Sequence, residues 1–289
     1  GERGESLAQF PDREQGQDWL NRAVEISPDV AALRTQLALS LLAGGQTDKA
    51  VTELQSAVDL GQDILQADVL LVLAHLKDGR FDEALKASAA LEERKPDSPI
   101  SYNLSGLAYL SKGDLVSAGE RFKKALAVDP SFTTAELNLA RIDVASNALD
   151  EAEARYRRVL QNSPKHLGAM LGLAALAERR KDLTETARWL AAAQEANPTA
   201  TQPGLLLVRL HITHADYARA LTVATELAGR FPKDEAVAQM LARAQTLGGQ
   251  VDTAIRSFDQ MTAANPKDPQ LHYLAGGAKW KAGNQAAAA

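Results

Sequence analysis

This sequence predicts an all-α chain, a right-handed α-solenoid of tandem helix–turn–helix units of 34 residues. Two observations carry that prediction. Pro96, Pro130, Pro164, Pro198, Pro232 and Pro266 follow one another at intervals of 34, and counting back from Pro96 passes Gln62 and lands on Pro28. A fixed period of that length is the signature of stacked supersecondary units rather than one closed core. Within each period, small residues return at two fixed places, among apolar residues at helical spacing.

With the proline set at position 32, residues 1–30 hold a degenerate first unit, of which Trp19, Leu20, Ala23 and Pro28 resemble a second helix. Seven full units follow at 31–64, 65–98, 99–132, 133–166, 167–200, 201–234 and 235–268, and 269–289 begins an eighth. Position 8 reads Ala38, Val72, Gly106, Ala140, Ala174, Val208, Ala242 and Gly276. Position 20 reads Ala50, Ala84, Ala118, Ala152, Thr186, Ala220, Ala254 and Ala288. Small side chains there let two antiparallel helices approach closely. Leu54, Phe122, Tyr156, Leu190 and Phe258 at position 24 fill the space one turn away. Position 15 carries Gly45, Gly79, Gly113, Gly249 and Gly283, which end the first helix in a left-handed conformation. Asn147 tolerates it; Lys181 and Ala215 are expected to be strained or to use another turn. The recurrent proline then stops the second helix.

Composition excludes several classes. The chain has no Cys, so disulfide and thiol chemistry are out, and no stretch is long and apolar enough for a membrane span. Residues 1–5 are charged and lack a signal peptide's apolar core. A net charge of −5 is too mild to suggest nucleic acid as a partner. The charge is uneven, though. Residues 1–150 hold 15 Lys/Arg against 24 Asp/Glu, and residues 151–289 hold 17 against 13. Such asymmetry marks either a seat for an anionic partner or drift among solvated faces.

These residues resemble the tetratricopeptide repeat. Residues 99–132 match its pattern best, with Tyr102, Gly106, Tyr109, Gly113, Ala118, Phe122, Ala125 and Pro130 in register. The resemblance implies that first helices line a concave groove, with positions 2, 5, 6, 9, 12 and 13 pointing into it. In the first three units those positions hold Leu39, Leu42, Val69, Leu73, Leu76, Ile100, Leu107 and Leu110. Such a stripe is either a partner site or is buried against neighbouring helices.

From the fourth unit the groove changes character. Position 9 reads Arg141, Ala175, Arg209 and Arg243; Arg179 stands at position 13, with Asn138 and Gln239 at positions 6 and 5. Guanidinium groups in a groove suit a carboxylate or phosphate. The expected partner is therefore a protein or peptide, acidic in part, with an anionic polysaccharide as the other candidate. The opposing reading pairs these arginines with carboxylates such as Glu136 or Glu178. The carboxylate clamp of chaperone-binding family members is not matched. Asn138 fits it, but Asn103 and Leu107 stand where Lys and Asn are required, and Gly168 and Gly172 follow.

Signs of catalysis are sparse. His211 and His214 are three residues apart with Asp216 beyond, short of a third ligand and a glutamate base for zinc. Phosphate-loop and nucleophile-elbow motifs do not occur, and no cofactor is expected. Arg155, Arg157 and Arg158 form a basic cluster without an aromatic stacking platform.

A narrower resemblance rests on Leu137 to Arg141, Glu153 to Arg157, Gly172 to Ala177 and Gln202 to Leu207. These segments are similar to exosortase-associated (PEP-CTERM system) tetratricopeptide lipoproteins of bacteria. That resemblance implies a periplasmic or outer-membrane-associated interaction scaffold, linked to exopolysaccharide production or protein sorting. Any membrane tie would run through a lipid anchor upstream of this part of the chain. A cytosolic assembly scaffold or adaptor, and a regulatory domain attached to an enzyme, stay open.

Overall fold

The computed structural model describes residues 11–62 and 65–288, with side chains from 15 to 283. The first ten residues of the degenerate unit, and the side chain of Ala288 at position 20, lie outside the described residues. Among the described residues every regular element is an α-helix. The chain divides between Ala148 and Leu149 into two compact units.

The first unit opens with α1 (Pro11–Ile26), a helix over the residues that resemble a second helix in the sequence. Its inward residues are Leu20 and Val24, which join the first core cluster, while Trp19 is exposed. Then come α2 (Ala31–Ala43) with α3 (Thr47–Asp59), α4 (Leu65–Lys77) with α5 (Phe81–Arg94), α6 (Pro99–Ser111) with α7 (Leu115–Val128), and α8 (Thr133–Ala145). The second unit holds α9 (Leu149–Asn162), α10 (Leu167–Arg179), α11 (Leu183–Ala196), α12 (Gln202–Thr213), α13 (Tyr217–Arg230), α14 (Glu235–Leu247), α15 (Val251–Ala264) and α16 (Pro269–Ala288). Within each unit, helices pack on their chain neighbours and on the next but one, as in an α-solenoid.

The core is accordingly a row of small clusters, each shared by consecutive helices. Positions 8 and 20 are almost all fully buried, as their small size predicted. Position 8 also varies inversely in size with position 24 of the same pair. Phe122 packs so close to Gly106 that an added Cβ would come within 2.5 Å of the ring. Alanine shares a cluster with Leu54, Leu190 and Phe258, and Val208 with the smaller Ala224; in the α4–α5 pair the same two positions hold Val72 and the smaller Ser88, both fully buried. Each pair thereby keeps a filled interior, which close packing requires.

The turn between paired helices is equally regular. The position 15 glycines Gly45, Gly79, Gly113 and Gly249 have φ of 75°, 72°, 82° and 90°. Lys181 and Ala215 take the same conformation, at 60° and 57°, so strain rather than a different turn resolves the sequence-based alternative. The amide one residue later reaches back five residues, as in Asp182 N to Ala177 O at 2.9 Å and Asp216 N to His211 O at 2.9 Å. That same residue caps the next helix. The carboxylates of Asp114, Asp182 and Asp216 accept from the amides of Ser117, Glu185 and Arg219.

Two places depart from the repeat. Gly283 was expected to turn the chain, yet α16 continues to Ala288. The residues after it are Asn, Gln and alanines, and alanine is the strongest helix former. At Gln62, where the proline is missing, the side chain does the connector's work. Its amide oxygen accepts from Ala31 N at 3.0 Å and its amide nitrogen donates to Asp29 O at 2.5 Å.

Ion pairs also follow the repeat. Lys112 meets Asp82 at 2.6 Å in the first unit, and Arg180 meets Asp150 at 2.6 Å in the second, both joining position 14 to position 18 of the preceding pair. The bond from Lys112 holds the Asp82 carboxyl below its ordinary value. Both pairs are solvent-exposed, so water screens them and they add little to stability.

Candidate groove on the first helices

The candidate binding residues sit on first helices, and the structure sorts them into three kinds. In the first unit, only Leu73 of the apolar stripe is substantially exposed, at 42 %. Leu42, Val69, Leu76, Ile100, Leu107 and Leu110 are half-buried against the core clusters between successive helices. The expected continuous stripe is thus largely packing surface, and Leu107 is shared between two clusters.

Asn138 is a correction. It is 4 % exposed, and its amide donates to Asn103 Oδ1 at 3.0 Å, a buried bond between equivalent helices. A residue so engaged is part of the core and unavailable to a partner. Nothing in the spacing distinguished the two outcomes, because position 6 lies at the boundary between groove and core. A pair of asparagines 35 residues apart was the available signal.

The arginines behave differently. Arg141, on α8 of the first unit, is exposed. In the second unit Arg209 on α12 and Arg243 on α14 are exposed at equivalent positions of adjoining helices. Among the described residues, no ion pair engages Arg141, Arg209 or Arg243. Arg179, at the end of α10, is exposed but engaged in contacts of its own. Gln239 is half-buried on α14.

Where Ala175 interrupts the arginine row, a cavity of about 260 Å³ opens between α10, α11 and α12. Its apolar lining includes Leu171, Leu190 and Leu206, and its charged lining is Glu178 and Arg209. A small residue at an outward-facing position, Ala175, is the sequence signal for the cavity.

His211 and His214 have separate neighbours. His211 Nδ1 lies 3.9 Å from Asp216 Oδ2, and His214 Nδ1 is 2.9 Å from Leu210 O. Burial pushes His211 below the usual imidazole value, with Asp216 opposing the shift. Among the described residues no cluster of three or more His, Asp or Glu could hold a metal. No described helix is long and apolar enough to cross a membrane.

Family models of the tetratricopeptide repeat match residues 35–99, 69–131, 137–201, 109–159 and 211–278. The chain belongs to the tetratricopeptide repeat family. It is 27% identical over 279 residues to cellulose synthase 1 operon protein C of Komagataeibacter xylinus, a match covering 90% of this chain and 21% of that protein. A tetratricopeptide repeat and J domain-containing co-chaperone of Fusarium oxysporum f. sp. lycopersici is 34% identical over 102 residues, covering 35% of this chain and 20% of the relative. The chain thus spans about a fifth of the length of either relative. Among solved structures, yeast Tom70 superposes with a TM-score of 0.69 at 15% identity, covering 94% of this chain and 59% of that one. PilW, a type IV pilus biogenesis factor, gives 0.58 at 21% identity, covering 73% and 98%. At these identities the likeness concerns the fold.

Proposed function

We propose that this tetratricopeptide array is a non-catalytic interaction scaffold of a bacterial cell-envelope assembly, gripping an extended partner along its first helices. The single observation that carries the site is the pair Arg209 and Arg243: two exposed guanidinium groups at equivalent positions of adjoining helices, with no carboxylate partner among the described residues. Two such groups suit the carboxylates of an acidic peptide segment, which each can hold in a bidentate fork. Arg141 offers the same group on the first unit, and the cavity beside Arg209 offers an apolar seat for a side chain next to the acidic one. The envelope setting, and a link to exopolysaccharide production, are supported by the similarity to the cellulose synthase operon protein, which runs along nearly the whole chain.

The test is a titration with an acidic peptide. The double variant Arg209→Ala, Arg243→Ala is expected to bind about tenfold more weakly or worse, a loss of about 1.4 kcal/mol. Binding to the unaltered protein should also weaken as salt rises, because exposed charges are screened over about 8 Å at physiological ionic strength. Arg230→Ala with Arg256→Ala, on second helices of the same unit, should bind as the unaltered protein does. Equal affinity in the groove double variant would remove the site.

A further inference from the structure

The second helices of the first unit enclose a feature that the groove reading does not use. Between α3 and α5 lies a cleft of about 630 Å³, lined by Val51, Thr52, Ser56, His75, Glu83 and Lys86 among others. That volume is within the range of small-ligand sites. His75 comes from α4, the helix packed against both walls, and is 7 % exposed. Its Nδ1 is buried and has no hydrogen-bond partner among the described residues. An orphaned polar atom of this kind costs stability unless something meets it.

We propose that this cleft binds a neutral saccharide. Thr52 and Ser56 each donate their hydroxyl into their own helix, to Asp48 O and Thr52 O, and so present oxygen lone pairs to the cleft. The Gln55 amide donates to Asp59 and keeps its carbonyl oxygen and one hydrogen to offer. On the other wall Glu83 accepts and Lys86 donates, and among the described residues neither is engaged in an ion pair. Their charges cancel, which disfavours a net anion or cation. A ligand whose groups both donate and accept, and which carries no charge, matches that mixture; hydroxyls do both. Val51 on one wall and Ala87 and Ala90 on the other add apolar surface against which the C–H face of a sugar ring can lie. Burial and the neighbouring Arg80 hold the His75 imidazole below its ordinary value, so near neutral pH it is uncharged, as a neutral ligand requires.

The experiment follows the ring nitrogens of His75 by NMR in the full 289-residue chain labelled with ¹⁵N-histidine, while cellobiose or maltose is added. A saturable shift of the His75 signals, with His211 and His214 unmoved, is expected for at least one of the two disaccharides. Ala90→Leu, which fills the cleft at an exposed position, should weaken that binding by about tenfold while circular dichroism stays unchanged. Silence at His75 with both sugars, or an equal response in Ala90→Leu, defeats the proposal. So does a stronger response to acetate or tetramethylammonium than to either sugar.

Discussion

Gly106 shows how much one missing methyl group matters in this fold. A Cβ at that position would sit 2.5 Å from Phe122, inside any real contact distance, and Phe122 is itself fully buried. Gly106→Ala should therefore destabilise the first unit by about 1–3 kcal/mol, as overpacking does. Adding Phe122→Leu should recover most of the loss, because leucine opposite alanine is the pairing of Leu54 with Ala38. Paired thermal melts check this; a double variant no better than the sum of its parts defeats it. His75 gives a second expectation. Its folded value lies below the unfolded value of about 6.5, so the unfolded chain holds the extra proton as pH falls. Stability should be full above about pH 6.5 and decline below it, until the folded imidazole also protonates. Burial is the main cause, Arg80 adds to it, and Glu83 and Asp78 oppose it. His75→Gln should flatten the fall in melting temperature between pH 7 and 5.5, and an unchanged slope would show that His75 does not govern it.

Among elements, the turns are where the sequence departs from its own pattern. Lys181 and Ala215 hold left-handed conformations that glycine holds elsewhere. Such a residue costs about 1–2 kcal/mol, while glycine adds about 0.5–1 kcal/mol of unfolded-state entropy. Lys181→Gly and Ala215→Gly should each gain up to about 1 kcal/mol and raise the melting temperature by a few degrees. A lower melting temperature in both would mean that the strain is relieved by something other than backbone freedom. The tolerance has a visible source: the back-bond across five residues and the aspartate cap that follow these two turns hold them in place.

For the whole molecule, the repeat was legible because its periodic residues answer local demands. Proline breaks a helix, glycine ends one, and alanine admits a neighbour, whatever the rest of the chain does. The helix pairs and most of the core therefore follow from spacing alone. The groove was less legible. Asn138 and Leu107 stand at positions that the repeat directs toward a partner, yet Asn138 bonds to Asn103 and Leu107 packs between helices. Whether a boundary position faces solvent or a neighbour depends on the size and polarity of residues a full unit away. The exposure of Arg209 and Arg243 was easier to foresee, since a guanidinium group is costly to bury unpaired. The cleft at His75 had no periodic signal. Its lining mixes short residues such as Ser56, Ala87 and Ala90 with the longer Gln55, Glu83 and Lys86.

The matched sizes at positions 8 and 24 bear on how such an array can change by inheritance. Val72 with Ser88, Gly106 with Phe122 and Val208 with Ala224 each work as a set. Repeated genes recombine readily because their copies align. A crossover in the connector beside the recurrent proline moves a whole helix pair and keeps each set together. A crossover at the turn glycine splits a pair and can place Val72 opposite Phe122, with no room for both, or Gly106 opposite Ser88, with a void between them. The lineages that survive such events should therefore exchange complete 34-residue units cut at the proline, so that the seam of inheritance coincides with the seam of packing.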